Sequence, residues 1–146
     1  MLFEDYEYFP YPFPEPQYLG AKYIFTGWLT KYLPPNITTA LDAFSGSQSV
    51  AFALKQRGIT TYTNDFLSFN HAIGLALIEN KSEKLSAEDI DALFAPQDAP
   101  DYTLMEETFA NIFFDKEQAQ VIDRFRYNTE SLNSPLKRAL ALSVMN

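Results

Sequence analysis

The sequence predicts an α/β fold: a partial, mostly parallel sheet with flanking helices, followed by the start of a helical subdomain. Three observations carry that prediction. Thr39 to Phe44 reads as an apolar strand that runs into the small-residue turn Phe44-Ser45-Gly46-Ser47-Gln48-Ser49. A helical segment from Ser49 to Arg57 follows and stops at Gly58, the residue type that most easily takes the left-handed conformation after a helix. Ile59 to Thr63 then alternates with β-branched residues as a second strand. Strand, helix and strand at this spacing make one βαβ unit, whose crossover is right-handed and whose strands are therefore parallel.

Composition narrows the function classes. A chain of 146 residues, 47% hydrophobic and 16% aromatic, buries one core of ordinary size. A formal net charge of -8 argues against the whole chain binding nucleic acid by itself, because neutralising phosphates takes clustered Lys and Arg. Cys is absent and His occurs once, which excludes disulfides, thiolate zinc, a Cys nucleophile and a multi-His metal site. No apolar run approaches the roughly 18 residues that span a bilayer. The N-terminus is acidic and aromatic where a signal peptide is basic and then apolar. Cytoplasmic residence and no membrane partner are the expectations.

Each element has its own justification. Residues 1–17 interleave six Phe and Tyr rings with Pro10, Pro12, Pro14 and Pro16, and each Pro fixes φ and disfavours helix at its predecessor. This is an extended arm, laid across the domain or offered to a partner. From Gly20 to Leu33, Ile24, Trp28 and Tyr32 recur every fourth residue until Pro34-Pro35, as in an amphipathic helix. Thr39 to Phe44 is apolar enough to be buried on both faces, as a parallel strand is. Phe66, Phe69, Ile73 and Leu77 mark a further helix reaching about Asn80.

Ser86 with Asp89 resembles a capping box and opens a short helix ending before Pro96. The turn-forming stretch Ala95 to Asp101 separates an α/β core at 18–95 from a helical subdomain at 101–146. Within that subdomain Asp115 with Gln118 caps a helix whose Val121, Ile122 and Phe125 face inward, lasting to about Asn133. Ser134-Pro135 is a strong start signal for a last helix carrying Leu136, Ala139, Leu140, Ser143 and Val144 on one period. That helix has a designed start and no designed stop, which fits a docked terminal helix or a fragment.

The turn after the first strand suits an adenosyl ligand, although a single Gly with Ser on either side also occurs in turns that bind nothing. Small side chains let a ligand approach the backbone, and ligands of open α/β sheets collect at the carboxyl ends of strands. Asp65, at the end of the second strand, can accept hydrogen bonds from both ribose hydroxyls, or it can cap the helix beginning near Phe66. A P-loop is excluded because Gly-Lys-Ser/Thr is missing, and the dinucleotide fingerprint is incomplete. A ligand without a pyrophosphate is favoured, and S-adenosyl-L-methionine fits.

Three motifs in order make the chain similar to a known family, the adenine-N6 DNA methyltransferases in which cofactor motifs precede the catalytic motif. Tyr18-Leu19-Gly20-Ala21-Lys22 resembles that family's N-terminal motif. Leu41 to Val50 resembles its Asp-x-Phe-x-Gly-x-Gly motif, and Asn64-Asp65-Phe66 its second-strand signature. The resemblance implies a Rossmann-like methyltransferase core. It puts Tyr18 and Lys22 at the methionyl and adenine side of S-adenosyl-L-methionine. Phe44, Ser45 and Gly46 then lie beneath the methionine moiety and Asp65 on the ribose, with Phe66 counted among the cofactor-binding residues; physically, the Asp42 carboxylate can meet the cofactor's ammonium group. Gly46 and Asp65 are accordingly expected at opposite ends of one crevice. Without the resemblance, Lys22 reads as a solvated lysine and Tyr18 as half-buried packing.

Two departures qualify what the resemblance implies. Gln48 stands where the family has Gly, and if the turn needs positive φ there it costs about 1 kcal/mol or more. The catalytic Asp/Asn-Pro-Pro-Tyr/Phe tetrapeptide is absent, and Asp98-Ala99-Pro100-Asp101-Tyr102 is a poor imitation. No catalytic residue is therefore assigned. The expectation is the cofactor-binding half of a restriction-modification DNA methyltransferase, inactive alone and completed by another polypeptide or by a second copy through the last helix and the arm. DNA contacts would come weakly from Arg124, Arg126, Lys137 and Arg138, which read otherwise as a solvated helix face. The alternatives are a non-catalytic remnant serving as an interaction module, and a small hydrolase using Ser45 or Ser47, for which His71 is a poorly placed base.

Overall fold

The computed structural model describes residues 22–96 and 102–145. Tyr18, the arm and most of the Ala95 to Asp101 stretch lie outside the described residues. Two compact units emerge, divided between Lys81 and Ser82, with the residues from Ser143 counted with the first.

In the first unit a 3-10 turn at Tyr23–Phe25 leads into α1 (Thr26–Lys31). The expected stripe of Ile24, Trp28 and Tyr32 is exposed, and the buried residue of α1 is Thr26. Hydroxyl bonds explain the tolerance of threonine here: Thr26 Oγ1 donates to the Tyr23 carbonyl at 2.7 Å and Thr30 Oγ1 to the Thr26 carbonyl at 2.8 Å. The Trp28 and Tyr32 rings cover each other instead, 4.9 Å between centroids.

Strand β1 (Thr39–Asp42) pairs in parallel with β2 (Thr60–Thr63), in a register running from Thr39 opposite Thr60 to Asp42 opposite Thr63. Helix α2 (Ser49–Gln56) makes the crossover and buries Ala51, Ala53 and Leu54, while Gly58 ends the turn after it at φ 76°. The strand–helix–strand order and the parallel pairing are thus as the sequence predicts, but β1 is not buried on both faces. Alternation leaves Leu41 66% and Tyr62 60% exposed as cross-strand partners, because a residue's side chains alternate between faces and the described helices cover only one.

After β2 come α3 (Ser68–Gly74) and a single π-helical turn at Leu75–Glu79. Ile73 and Ala76 face inward, whereas Phe66, expected on the same inner stripe, precedes the helix and is exposed. Gly74 is where α3 approaches the sheet most closely: a Cβ there would stand 3.3 Å from Thr63 Oγ1 and 3.4 Å from Gln48 Nε2. Lys55 of α2 donates to the Leu77 carbonyl at 2.7 Å and to that of Asn80, closing the last turn.

The second unit holds α4 (Ala87–Phe94), α5 (Leu104–Phe109), α6 (Lys116–Asn128) and most of α7 (Pro135–Ser143). Both predicted capping boxes are present, Ser86 with Asp89 and Asp115 with Gln118. Ser134 Oγ accepts from the Leu136 amide at 3.2 Å, the expected start of α7. Although the sequence boundary falls after Ala95, α4 groups with the helical unit, since Leu93 packs with Leu132, Ala141, Leu85 and Phe125. The inner side of α6 also differs from expectation. Val121 is exposed, and the buried positions are Ala119, Asp123 and Asn128, two of them polar.

Those polar groups hold the helices by their ends. Asp123 accepts from the Met105 amide at 2.9 Å and the Glu106 amide at 3.0 Å, capping α5, while Asn128 Nδ2 donates to the carbonyls of Leu93 and Ala95 at the end of α4. In α7, Ala139 and Ala141 are buried, and Val144, expected on the inner period, is exposed.

Candidate functional site

Four of the expected site residues meet where β1 and β2 end. The ladder continues past the strands, with the Asn64 amide on the Asp42 carbonyl at 2.9 Å and the Ser45 amide on the Asn64 carbonyl at 3.0 Å. Asn64 Nδ2 adds a bond to the Ala43 carbonyl at 3.0 Å. The turn from Ala43 to Gln48 is therefore fixed edge-on to the Asn64-Asp65 segment. It reverses through two left-handed residues, Gly46 at φ 47° and Gln48 at φ 65°.

Gln48 thus meets the condition under which a side chain is strained, and its side chain is not wasted. It is 1% exposed, and its Nε2 donates to Ser45 Oγ at 2.8 Å and to the Asn70 carbonyl at 3.0 Å. Its Oε1 has no hydrogen-bond partner among the described residues. Two bonds of about 1 kcal/mol each offset the left-handed strain, and the buried orphan oxygen weighs against them. Gly74 leaves the room this amide occupies.

Asp65 is engaged on both oxygens. Oδ2 accepts from the Gly46 amide at 2.8 Å; Oδ1 accepts from the Leu67 amide at 3.0 Å and from Asn70 Nδ2 at 2.8 Å. The Asn70 bond first, and then the Leu67 amide, hold the Asp65 carboxyl below the ordinary carboxylate range. The expectation that Gly46 and Asp65 stand at opposite ends of a crevice is not met, since the two are hydrogen-bonded to each other. Asp65 still faces solvent in part, but it is not the N-cap of the following helix: Leu67 holds that position, and Asp65, two residues earlier, accepts from its amide.

Asp42 lies half-buried beneath the turn. Burial pushes its carboxyl up, opposed by backbone N–H groups of Phe44 and Ala51, while the nearby Asp65 charge adds to the rise. Its charge is accordingly directed at the first turn of α2. The rings flanking the turn are left bare: Phe44 is 91% and Phe66 98% exposed. Lys22 stands at the start of the Tyr23–Phe25 turn, and its carbonyl accepts from the Phe25 amide at 2.9 Å.

Ser45 and Ser47, the nucleophiles of the hydrolase alternative, are buried, with hydroxyls committed to the Asn64 carbonyl and to Ser49. Among the described residues no cluster of His, Asp and Glu could hold a metal ion. Of the four basic residues named for DNA, Lys137 is paired with Asp89, and Arg138 binds the Leu132 carbonyl at 2.9 Å and Glu130 at 3.5 Å. Arg124 and Arg126 belong to α6. The two residues that sequence reasoning missed are Gln48, read only as a defect, and Asn70. An Asn five positions after an acidic residue at a strand end was the available signal for the latter.

Comparison with known proteins follows the same motifs. A family model described as D12 class N6 adenine-specific DNA methyltransferase matches residues 18–145. The Type II methyltransferase M2.HphI of Haemophilus parahaemolyticus is 36% identical over 133 residues, which cover 91% of this chain and 39% of that protein. The chain thus spans about two fifths of the length of that relative. No solved structure matches.

Proposed function

Because the chain belongs to the D12 class N6 adenine-specific DNA methyltransferases, we propose that it is the cofactor-binding part of such an enzyme. Its α/β unit, up to Lys81, is the Rossmann-like core in this reading, and the helical unit from Ser82 to Leu142 contributes part of the target-recognition region. The reaction of the whole enzyme is methyl transfer from S-adenosyl-L-methionine to the exocyclic N6 of adenine in DNA, in a restriction-modification setting and in the cytoplasm. The chain alone transfers nothing, because the tetrapeptide that would hold the adenine amino group is absent from it. A complementing polypeptide carrying that motif completes the site, and the bare sheet face at Leu41 and Tyr62 gives it apolar surface to cover.

The single observation that carries this reading is the clasp between Gly46 and Asp65 with Phe44 and Phe66 exposed on either hand. Leaving two Phe side chains in water forgoes about 2 kcal/mol apiece, which a planar base or a further chain segment would recover. The chemistry of the described residues suits an adenosyl sulfonium: Asp65 for the ribose end, Asp42 and the turn backbone for the ammonium, and Lys22 for the methionyl carboxylate; Tyr18 is assigned to the methionyl and adenine side by the motif alone. When bound, the cofactor supplies the electrophilic methyl group. The chain's own residues orient it and leave its methyl free for a base presented by the complementing part. Calorimetric titration of the chain with S-adenosylhomocysteine tests the reading. Saturable heat that Asp65→Ala abolishes supports it.

The non-catalytic remnant is the second reading, and Gln48 is the observation that favours it: a strained, buried side chain fills space behind a turn that the family pattern keeps as Gly. Absence of any heat with either S-adenosylmethionine or S-adenosylhomocysteine would decide for the remnant.

A further inference from the structure

The Asp65 carboxylate offers roughly four lone-pair directions, two on each oxygen. Among the described residues three are taken by short hydrogen bonds, and the nearby Phe66 backbone N–H also favours the charged carboxylate. Oδ1 receives the Leu67 amide at 3.0 Å and Asn70 Nδ2 at 2.8 Å, which uses both of its directions. Oδ2 receives the Gly46 amide at 2.8 Å, which leaves one. A carboxylate in this state cannot accept from both hydroxyls of a vicinal diol without losing an internal bond. Asn70 decides the matter. It is fully buried, unlike Leu67, and its position is fixed from behind by the Gln48 amide on its carbonyl at 3.0 Å. Hydrogen bonds thereby run from Gly46 to Asp65, from Asn70 to Asp65 and from Gln48 to Asn70, tying the turn that carries Gly46 and Gln48 to the start of α3.

We propose that Asn70 is a positioning and specificity-determining residue: by occupying Oδ1 it makes Asp65 grip a ligand ribose through Oδ2 alone, so that one hydroxyl of the diol is recognised and the other is not. This rests on the cofactor reading above and sharpens it. The residue acts through Asp65 and touches no ligand. Its signature is an asymmetry between the two hydroxyls that a merely structural role does not produce.

The test is calorimetric titration of the full chain with S-adenosylhomocysteine and with its 2′-deoxy and 3′-deoxy analogues. In the natural chain one analogue binds about tenfold more weakly than the parent, and the other within about twofold, the loss expected for one hydrogen bond to a charged group. Asn70→Ala removes the donor on Oδ1, frees that oxygen for the second hydroxyl, and shrinks the difference between the analogues to about twofold. Asn70→Ser keeps a polar group in the buried position but is too short to reach Oδ1; it gives the same result if the alanine variant does not fold. Equal weakening by both analogues in the natural chain, or an asymmetry that survives in the Asn70 variants, overturns the proposal while parent binding leaves the cofactor reading standing. No binding of the parent compound to the natural chain overturns the cofactor reading, and this proposal with it.

Discussion

Asp65→Asn separates the two roles that converge on that side chain. The substitution keeps the shape but leaves one acceptor oxygen where the structure uses two, and it turns an NH₂ towards a backbone or side-chain donor. Of the three internal bonds, from Gly46, Leu67 and Asn70, at least one is lost. A charge-assisted bond is worth about 1.5–3 kcal/mol, and partial exposure of Asp65 argues for the lower end. Folding stability should therefore fall by about 1.5 kcal/mol. A ligand hydroxyl that moves from a carboxylate to an amide loses a similar amount, so S-adenosylhomocysteine affinity should fall about tenfold. Urea unfolding reads the first quantity and calorimetry the second, both at pH 7. If the unfolding midpoint drops while affinity stays within twofold, Asp65 only braces the turn and the approach to α3, and its assignment to the ribose is refuted. The pH dependence carries the same signature. Because hydrogen bonds hold the carboxyl low, its contribution is present above the ordinary Asp range and is lost only as pH falls through the depressed folded value.

Three further outcomes follow from the same contacts. Burial raises the Asp42 carboxyl, so its contribution to stability declines as pH rises from the ordinary carboxylate range through the raised value; Asp42→Asn should flatten that slope and raise the urea midpoint at pH 7, and an unchanged slope counts against the burial argument. Gln48→Gly removes about 1 kcal/mol of left-handed strain and a buried orphan oxygen but also two hydrogen bonds, so stability should change by less than about 1 kcal/mol while amide exchange at Gly46 quickens; slower exchange would contradict the tether to Asn70. Asp123→Ala strips the Met105 and Glu106 amides of their acceptor at a side chain only 2% exposed, and should cost about 2 kcal/mol by urea unfolding, with a change below about 0.5 kcal/mol showing that water replaces it.

Local signals in this chain were legible wherever one residue and its near neighbours settle the backbone. Gly58 after α2, the capping boxes at Ser86 and Asp115, and Ser134-Pro135 before α7 each act within about four residues, and the elements begin or end where those signals stand. The parallel pairing followed as well, since a βαβ spacing admits only one hand. Motif order pointed to the family for a related reason: small residues at a strand end and an acidic residue at the next are local requirements of a turn.

Tertiary contacts decided the rest. Periodicity names the face of a helix that is apolar, but not which neighbour reaches it. Ile24, Trp28, Val121 and Val144 therefore stayed outside, while Thr26, Asp123 and Asn128 went in with hydrogen bonds to satisfy them. Covering the second face of β1 takes chain that the described helices do not supply, a fact about partners in space that no alternation in the strand encodes. Most of all, the hydrogen bonds from Gly46 to Asp65 and from Gln48 to Asn70 join residues 19 and 22 positions apart. Only folding brings a glutamine that looked like a flaw in the turn against the asparagine that orients the carboxylate, because hydrogen bonds of a few ångströms depend on where backbones meet and not on how far apart they lie along the chain.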